Sequence, residues 1–435
     1  MAWAEKLKLK KGLVRALTEA GFNGPTEIQQ KTLSRIAGGQ DIIAIGPNGC
    51  GKTTTYIMGA LSRFTYAADG VTRVLILVPD REAVEAVIER FNQLNTNKSI
   101  RLVGLYPAPG TEAQMDDMAE GADIVVATPD RARAIYLKLG LNLNTVELLV
   151  IDDADLIVKQ GLQLPVNELA ASIQKGQHLV FTEVMHDKLD RMISTFMRQP
   201  ATIEVEEIGE PAFDTIDQLL YHVPNFGTKL NLLRLFMQDE ELFTKTIVFV
   251  NTRPTAEKLY KTLQNRNNNI VAIFSPWFFE WTGFSSVEDF MADETVRTLI
   301  VVNEDVGELP LQDVPFLLHF ELPADVETYV TRVKSDAHKP DAETMALTFV
   351  TDLELNGVRK IEQATGHKIQ VGDLPEDLVI EKERKKLSEE EKEAKTQTEE
   401  PERGAAFHEK KAKNSKNYNY SSGEKAKMTK KKKYG

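Results

Sequence analysis

A glycine-rich segment near the start of the chain has the residue types and spacing that hold phosphate groups. Residues 46–53, Gly-Pro-Asn-Gly-Cys-Gly-Lys-Thr, fit the pattern GxxxxGK[ST] without a mismatch, after the apolar run Asp41–Ile45 and before a helical stretch. Glycines let backbone N–H groups surround phosphates, and the following helix adds the positive end of its dipole. Lys52 would neutralise phosphate charge, and Thr53 would offer its hydroxyl to Mg²⁺. The alternative is a chance glycine turn before a helix.

A group of carboxylates follows another apolar run farther along the chain. Asp152, Asp153 and Asp155 come directly after Leu148–Ile151. A carboxylate at the C-terminal end of a strand, beside a phosphate loop, is where Mg²⁺ is held in nucleotide sites. The alternative is an acidic helix N-cap, which is common on its own. Together with the loop, the carboxylates predict a metal site formed by Thr53 and Asp152.

Short apolar runs, separated by amphipathic stretches, must position these residues. Runs that are apolar nearly throughout are typical of parallel strands buried on both faces. We expect strands in the first half at Asp41–Ile45, Val74–Val78, Ile124–Ala127, Leu148–Ile151 and Leu179–Phe181. After Ile216 the same alternation predicts strands at Thr246–Val250, Ile270–Phe274, Thr298–Val302, Phe316–Phe320 and Ala346–Val350. The pattern predicts an α/β protein with two successive parallel-sheet domains.

Changes in composition mark the expected domain boundaries. An acidic stretch containing Pro and Gly, Glu204–Asp214, lies between the two blocks and is typical of a linker. Toward the C-terminus aliphatic residues become rare, which predicts a disordered tail. The expected division is a first domain at 1–205, a linker at 206–215, a second domain at 216–376 and a charged tail at 377–435.

The overall composition excludes several classes of protein. The 435 residues are 42% hydrophobic, enough for two cores, so a wholly disordered chain is excluded. Cys50 is the only cysteine, which excludes a disulfide scaffold and fits a reducing compartment. We find neither a membrane-length apolar run nor a secretory signal, and expect a cytoplasmic protein without membrane contact. The 7 histidines lack zinc-site spacing, so we expect no zinc.

The net charge of −12 is distributed unevenly along the chain. Residues 1–380 carry 36 basic and 54 acidic side chains, whereas residues 381–435 carry 17 basic and 11 acidic ones. A basic tail that also contains Tyr418 and Tyr420 predicts that any contact with a polyanion such as RNA is concentrated there. The alternative is a solubilising arm that lies against the acidic body.

These motifs together resemble those of the DEAD-box RNA helicase family. The sequence Asp-Asp-Ala-Asp at 152–155 occupies the place of D-E-A-D, and residues 21–29 resemble the family's Q motif. Residues 79–82 resemble P-T-R-E-L, and residues 128–131 resemble T-P-G-R. The resemblance covers residues 3–370 and implies two RecA-like domains that face each other across an ATP cleft, with RNA lying across both.

The resemblance also implies roles for individual residues. Gln29 would recognise the adenine edge, and Trp3 would be either an upstream stacking aromatic or a packed side chain. Asp153, Lys52 and Arg332 are the implied catalytic residues, and Arg81, Thr128 and Arg131 are the implied RNA-binding ones. The residues expected to bind ATP are Phe22, Gln29, Gly46, Pro47, Asn48, Gly49, Cys50, Gly51, Lys52, Thr53 and Thr54.

Departures from the family in the first half fall on hydrolysis and its coupling. Asp153 replaces the family's Glu and is one methylene shorter, and such a retreat of ~1 Å can cost on the order of 10²-fold in rate. The segment Thr182-Glu183-Val184 replaces the S-A-T that couples hydrolysis to domain closure. Both changes predict weak turnover.

Departures in the second half remove charged groups. Gly307 replaces an arginine, and Pro310 replaces the ribose-binding aspartate. Ser335 and His338 replace the two arginines that contact the γ-phosphate, so that Arg332 alone survives in this motif. Lys334 is a candidate substitute, without the bidentate geometry of an arginine.

The turns expected to face RNA also differ from the family. Asp80 and Asp130 replace a Thr and a Gly and bring negative charge toward a polyanion. Arg81 and Arg131 would hold two phosphates or, alternatively, pair with these aspartates. Aromatic residues at 277, 278, 279, 281 and 284 would stack on bases or a partner helix, or pack in the core.

Three interpretations of function remain from the sequence. The first is an ATP-dependent RNA helicase with weak turnover, and the second is a nucleotide-gated RNA-binding or scaffolding protein with a protein partner and no useful hydrolysis. The third, more distant one is a protein-binding ATPase that ignores RNA. Cys50 is either an oxidisable thiol in the loop or a small residue tolerated there.

Overall fold

A computed structural model describes residues 9–63, 70–206, 213–264, 270–277, 280–307, 309–338 and 344–381. Trp3, Phe278, Phe279, most of the predicted linker and nearly all of the predicted tail lie outside these described residues. The described residues form two sheets, one of seven and one of eight strands, and every pair of neighbouring strands is parallel.

The first domain is built on the seven-stranded sheet. Its strands are β1 (Ile42–Ile45), β2 (Val74–Leu77), β3 (Leu102–Leu105), β4 (Ile124–Ala127), β5 (Leu148–Ile151), β6 (Gln177–Thr182) and β7 (Ala201–Glu204). They lie in the order β3-β4-β2-β5-β6-β1-β7, which places the ends of β1 and β5 on either side of β6. In parallel sheets, ligands bind beyond the carboxyl ends of such central strands.

The helices of the first domain connect these strands. They are α1 (Lys11–Glu19), α2 (Glu27–Ala37), α3 (Lys52–Arg63), α4 (Arg81–Leu94), α5 (Glu112–Ala119), α6 (Pro129–Leu137), α7 (Ala154–Lys159), α8 (Gln163–Ser172) and α9 (Asp187–Ile193). Local sequence explains where several of them begin. The Asp80 carboxylate accepts the Ala83 N–H at 2.8 Å and caps α4, and Pro129 takes the first position of α6.

The second domain repeats this arrangement on the eight-stranded sheet. Its strands are β8 (Asp217–His222), β9 (Thr246–Val250), β10 (Val271–Phe274), β11 (Gly283–Phe284), β12 (Thr298–Val302), β13 (Phe316–His319), β14 (Met345–Val350) and β15 (Gln370–Val371). Their order is β11-β10-β12-β9-β13-β14-β8-β15. Its helices are α10 (Phe226–Gln238), α11 (Arg253–Leu263), α12 (Val287–Ala292), α13 (Val326–Val333) and α14 (Leu355–Thr365).

Each sheet is buried on both faces, as the apolar runs predict. Along β1, Ile42 and Ala44 join the core on one face of the first sheet, and Ile43 and Ile45 join the core on the other. The strands of the second sheet alternate in the same way between two cores. The predicted α/β class with two RecA-like domains is therefore confirmed.

The predicted strands are all present, within two residues at each end. Five further strands are not among those predicted from the sequence: β3, β7, β8, β11 and β15. Four of them, β3, β7, β11 and β15, form the edges of their sheets, and β7 and β15 are largely exposed. No helix among the described ranges has the length and apolar character needed to cross a membrane.

Candidate functional site

The phosphate loop runs from the end of β1 into α3. Gly51 has a φ of +101°, and a Cβ at this position would lie 2.8 Å from both Gln29 Nε2 and Thr26 Oγ1. Only glycine fits such a backbone in so little space. Pro47, Cys50 and Thr54 are buried, whereas Asn48 and Gly49 are exposed at the tip of the loop. The loop is therefore held closely at its base and open to solvent at its tip.

Gln29 connects the loop to α2. Its Oε1 accepts the Thr26 N–H at 3.0 Å, and its Nε2 lies 3.5 Å from the Gly51 carbonyl. The side chain is 2% exposed, so its amide lies beside the loop rather than in solvent. Phe22 is half-buried against the core of the first domain, with the Arg90 guanidinium 5.8 Å from its ring.

Lys52 points back into the loop that precedes it. Its Nζ donates to the carbonyls of Gly46 at 2.7 Å and Pro47 at 3.1 Å, and the residue is 5% exposed. A buried ammonium group is costly unless it has partners, and here backbone carbonyls supply them. The structure thus places a cation at the position where the sequence motif predicts phosphate groups.

Two neighbouring carboxylates face the loop from the end of β5. Asp152 is 4% exposed, and its Oδ2 lies 3.3 Å from the hydroxyl of Thr53, as the predicted metal site requires. Burial raises the pKa of Asp152, although Lys52 and the hydrogen bond from Thr53 oppose this. Tyr56 lies nearby, and burial together with the Asp152 charge raises the pKa of its hydroxyl.

Asp153 occupies a strained and poorly solvated position. Its φ of +46° is in the left-handed region, where residues other than glycine are uncommon. Burial and the charge of Asp152 raise the pKa of Asp153 to about 7, with smaller increases from Asp155 and Glu183 and an opposing effect of Lys52. A carboxylate with such a pKa accepts a proton readily near neutral pH.

The arrangement suits Mg²⁺ bound together with a nucleotide. Thr53, Asp152 and Asp153 line a cavity of about 400 Å³. Within the described ranges, no group of three or more Asp, Glu, His or Cys side chains forms a metal site. Mg²⁺ usually takes one or two protein ligands and keeps several waters, so Thr53 and Asp152 fit its requirements. The raised pKa values of both aspartates also fit a site that lacks a second positive charge.

Asp155 links the carboxylate motif to the end of β6. The Thr182 hydroxyl lies 2.9 Å from Asp155 Oδ1, and the Glu183 N–H lies 3.4 Å from the same oxygen. Thr182 thus contacts the carboxylate motif from the segment that replaces S-A-T. Burial raises the pKa of Glu183, whose side chain has no counterpart in the family motif.

The predicted RNA-binding residues lie close together but differ in their availability. Arg131 donates from all three of its guanidinium nitrogens to the carbonyls of Tyr106, Ala108 and Gly110, at 2.9, 2.6 and 3.0 Å. Arg81 is exposed, pairs with Glu85 at 2.8 Å and lies 4.8 Å from the centre of the Tyr106 ring. Arg131 therefore holds a loop together, whereas Arg81 stays at the surface.

The aspartates beside these arginines have structural roles. Asp80 caps α4, and Asp130 lies in the first turn of α6, where the helix dipole favours a negative charge. Each arginine takes other partners, so the alternative of arginine–aspartate pairs is not what the structure has. Thr128 is 2% exposed, and its hydroxyl has no partner within the described ranges.

The second domain does not bring its surviving arginine to the phosphate loop. Arg332 is 7% exposed and stacks 3.7 Å from the Phe249 ring centre, and its Nη1 has no partner among the described residues. Burial lowers the pKa of Arg332 to about 10. His338 is buried, with Nε2 2.8 Å from the Arg332 carbonyl, and the Lys334 ammonium lies 4.9 Å from the Phe213 ring centre.

The aromatic cluster of the second domain packs partly against its core. Trp281 stacks on Tyr260 with ring centres 5.1 Å apart, and Trp277 meets Trp281 edge-on at 5.4 Å. The Arg253 guanidinium lies 5.4 Å from the Trp277 ring centre. Both tryptophans are half-buried, so packing accounts for much of their surface.

Several residues near these sites escaped the sequence analysis. Tyr56 lies one helical turn beyond Thr53 on α3, and Tyr106 joins Arg81 to Arg131. Asn356 and Arg359, on α14 of the second domain, reach Asp155 and the Glu183 carbonyl. Of these four residues, only Tyr56 could have been found from the sequence, because it lies at a short spacing from the phosphate-loop motif. Tyr106, Asn356 and Arg359 act through partners that are distant in sequence.

Comparisons with known proteins find one family among the proteins that are similar to this chain. Residues 26–192 match the family model described as DEAD/DEAH box helicase. The chain is 26% identical to RNA helicase CrhR of Synechocystis sp., over 90% of this chain and 78% of the relative. It is 25% identical to ATP-dependent RNA helicase SrmB of Haemophilus influenzae, over 83% of this chain and 82% of the relative. The crystal structure of a DEAD box protein from Methanococcus jannaschii is similar with a TM-score of 0.47 and 21% identity, over 85% and 98% of the two chains.

The family model covers the part of the chain that contains Lys52 and the carboxylates at 152–155. The relatives align along most of the chain, and therefore with both domains. The chain therefore contains a domain of the DEAD/DEAH box helicase family, at residues 26–192.

Proposed function

We propose that this chain binds Mg·ATP in its first domain, binds RNA and hydrolyses ATP slowly. One observation carries the proposal: the Lys52 ammonium group lies inside the phosphate loop, next to a Thr53 hydroxyl only 3.3 Å from Asp152. Relatives described as RNA helicases support RNA as the partner. As part of the proposal we keep the domain division at 1–205, 206–215, 216–376 and 377–435, since β7 ends at Glu204 and β8 begins at Asp217.

The first domain has the groups that hold a nucleotide. Lys52 would donate to phosphate oxygens in place of the carbonyls of Gly46 and Pro47. The N–H groups at the start of α3 would face the same phosphate groups. Thr53 and Asp152 would hold Mg²⁺, which when bound supplies positive charge to the phosphate oxygens. Gln29 would contact the base from its position behind Gly51.

Asp153 is the candidate for orienting and deprotonating the attacking water. Its position beside Asp152, at the wall of the same cavity, suits a residue that orients a water. Its carboxylate is one methylene shorter than that of the family's glutamate, so the water would be held less closely. We therefore expect slow chemistry rather than none.

The second domain offers little charge to the transition state. Arginines that stabilise phosphoryl transfer contribute about 10³–10⁵ in rate, and this chain has Ser335 and His338 where the family has them. Arg332 is packed on Phe249 within the domain. Slow turnover follows from these replacements together with Asp153.

The alternative is a nucleotide-gated RNA-binding protein without useful hydrolysis. This alternative is supported by the buried His338, which is hydrogen-bonded to the Arg332 carbonyl. Its ring offers a phosphate none of the paired donors of an arginine guanidinium group. In both versions Arg81 would contribute an RNA contact, with the basic tail as a second contact and a protein partner as a further expectation.

RNA binding measured with and without nucleotide tests the proposal. We expect a fluorescent single-stranded RNA to bind more tightly in the presence of Mg²⁺ and a non-hydrolysable ATP analogue, as followed by anisotropy. Lys52→Ala should remove this increase and keep the RNA affinity measured without nucleotide. RNA affinity that is the same with and without the analogue would contradict a nucleotide-dependent RNA-binding protein.

A further inference from the structure

Helix α14 of the second domain is attached to the first domain by two side chains one helical turn apart. Asn356 Nδ2 donates to Asp155 Oδ2 at 2.7 Å. Arg359 donates to the Glu183 carbonyl, and its Nη2 lies 3.5 Å from the Val205 carbonyl. We propose that Asn356 and Arg359 form a clasp that holds the two domains in a resting arrangement and must open before they close around ATP.

The end of the clasp on the first domain is part of the nucleotide machinery. Asp155 is 5% exposed and belongs to the carboxylate motif that also supplies Asp152 and Asp153. Its second oxygen is taken by the Thr182 hydroxyl at 2.9 Å, so the carboxylate is fixed from both sides. A contact from α14 to Asp155 therefore reaches the residues that we expect to respond to ATP.

The end of the clasp on the second domain is equally fixed. Lys229 is buried, and its ammonium group contacts Glu354 at 2.7 Å and the Phe320 carbonyl at 2.9 Å. Glu354 also accepts the Thr351 N–H at 2.8 Å, which anchors the turn that leads into α14. Because α14 is tied to its own core, movement of the helix must move the second domain as a body.

The charge of Arg359 gives the clasp its strength. The side chain is 17% exposed, and every contact described for its guanidinium group is with the first domain: the Glu183 and Val205 carbonyls and, at 3.7 Å, the Glu204 carboxylate. Hydrogen bonds from a buried charge are stronger than neutral ones. Opening the clasp would break these hydrogen bonds and expose the guanidinium group to water. We therefore expect two discrete domain arrangements, clasped and open, in place of a continuous range of domain positions.

The clasped arrangement leaves two half-sites apart. The cavity at Thr53, Asp152 and Asp153 is lined by first-domain residues alone within the described ranges. A cavity of about 790 Å³ next to Arg332, Asn251 and Asn303 is likewise lined by described residues of the second domain alone. Bringing the two cavities together requires a rotation of one domain relative to the other. The directional hydrogen bond of 2.7 Å from Asn356 to Asp155 would break in that rotation. The clasp thus restrains closure, an inference that rests on the proposed function for its link to ATP.

The distance between the domains tests the clasp without any ligand. The native Cys50 is buried, so dyes can be attached to introduced cysteines at the exposed positions Leu137 and Leu242. Single-molecule energy transfer should give one narrow population for the natural sequence. Arg359→Ala and Asn356→Ala should each add a second population, whereas Lys261→Ala, which removes an exposed charge that pairs with Glu257 on the same helix, should not. Identical distributions for all four chains would overturn the clasp.

RNA affinity in the presence of the ATP analogue tests its restraining role. We expect Arg359→Ala to tighten binding by at least about fivefold, and Arg359→Lys to give a smaller gain because the ammonium group keeps part of the contact. Unchanged or weaker binding in Arg359→Ala would overturn the restraint. If the analogue does not bind at all, the proposed function fails while the ligand-free distances still decide whether the clasp exists.

Discussion

The two domains share one topology but place their charged residues differently. In the first, β1 and β5 end on either side of β6, and Lys52, Thr53 and Asp152 meet at their carboxyl edge. In the second, β8 and β13 lie on either side of β14 in the same parallel manner. The equivalent edge there carries His222 and Asp352, which hydrogen-bond at 2.8 Å, and the buried Lys229, whose ammonium group pairs with Glu354. A parallel sheet thus persists with or without the chemistry at its edge.

The contrast is clear from a comparison of Lys52 with Arg332, a buried cation of each domain. Lys52 is buried among backbone carbonyls that a phosphate can replace. Arg332 is buried against the Phe249 ring, next to His319, whose pKa burial lowers well below the ordinary 6.5. Lys52 can therefore exchange its partners for a ligand, whereas Arg332 is part of the packing of its domain. Four changes can break or sharpen this comparison.

Loss of the Lys52 charge should have the largest effect. We expect Lys52→Ala to weaken binding of a fluorescent ATP analogue by about a hundredfold or more, because no other described cation lies within the loop. Equilibrium titration in Mg²⁺ buffer measures this. Lys261→Ala is the control, since it removes an exposed lysine from the second domain, where it pairs with Glu257. Near-equal affinities of the two variants would mean that the loop does not bind the nucleotide.

Restoring the family's groups should increase turnover. Asp153→Glu combined with Ser335→Arg should raise the rate of ATP hydrolysis by about a hundredfold, because it returns a longer carboxylate and one arginine. Ser335 is the better site for the arginine, since His338 is buried and bonded to the Arg332 carbonyl. Steady-state assays of the single and double variants separate the two contributions. Unchanged turnover in the double variant would show that these replacements do not limit the rate.

The two arginines near Tyr106 should separate stability from RNA affinity. Arg131→Ala removes three hydrogen bonds from a charged group and should lower the free energy of unfolding by about 2 kcal/mol, measured by urea titration. Arg81→Ala should leave stability unchanged and weaken RNA binding slightly, because Arg81 pairs with Glu85 at the surface. If Arg131→Ala unfolds like the natural chain while RNA affinity falls, Arg131 is an RNA contact.

Acid should destabilise the second domain through His319. The unfolded chain takes up a proton as the pH falls below about 6.5, while the buried ring remains neutral, so stability falls with pH by up to about 1.4 kcal/mol per unit. Neither ring nitrogen has a partner within the described ranges. His319→Leu should therefore flatten the dependence between pH 6.5 and pH 5, as followed by urea unfolding at several pH values. An equally steep dependence in this variant would assign the effect to other groups.

The success of the sequence analysis follows the range of the interactions. The phosphate loop and β1 could be predicted because all their signals lie within a few consecutive residues. The edge strand β7 could not, since it has exposed residues such as Thr202 and lacks the apolar run of a central strand. The sequence predicts Arg131 in a turn that faces RNA, whereas the residue lies on α6 and bonds to carbonyls of the loop after β3. Arg359 and Glu183 are 176 positions apart, so no local pattern relates them.

Steady-state ATP hydrolysis, with and without single-stranded RNA, tests the central claim most directly. We predict slow turnover of the natural chain that RNA stimulates and that Lys52→Ala abolishes. That result would mean that the first domain still carries out the chemistry although the second supplies no arginine from positions 335 and 338. Turnover at the level of Lys52→Ala, even with saturating RNA, would contradict hydrolysis and leave nucleotide-gated RNA binding as the function.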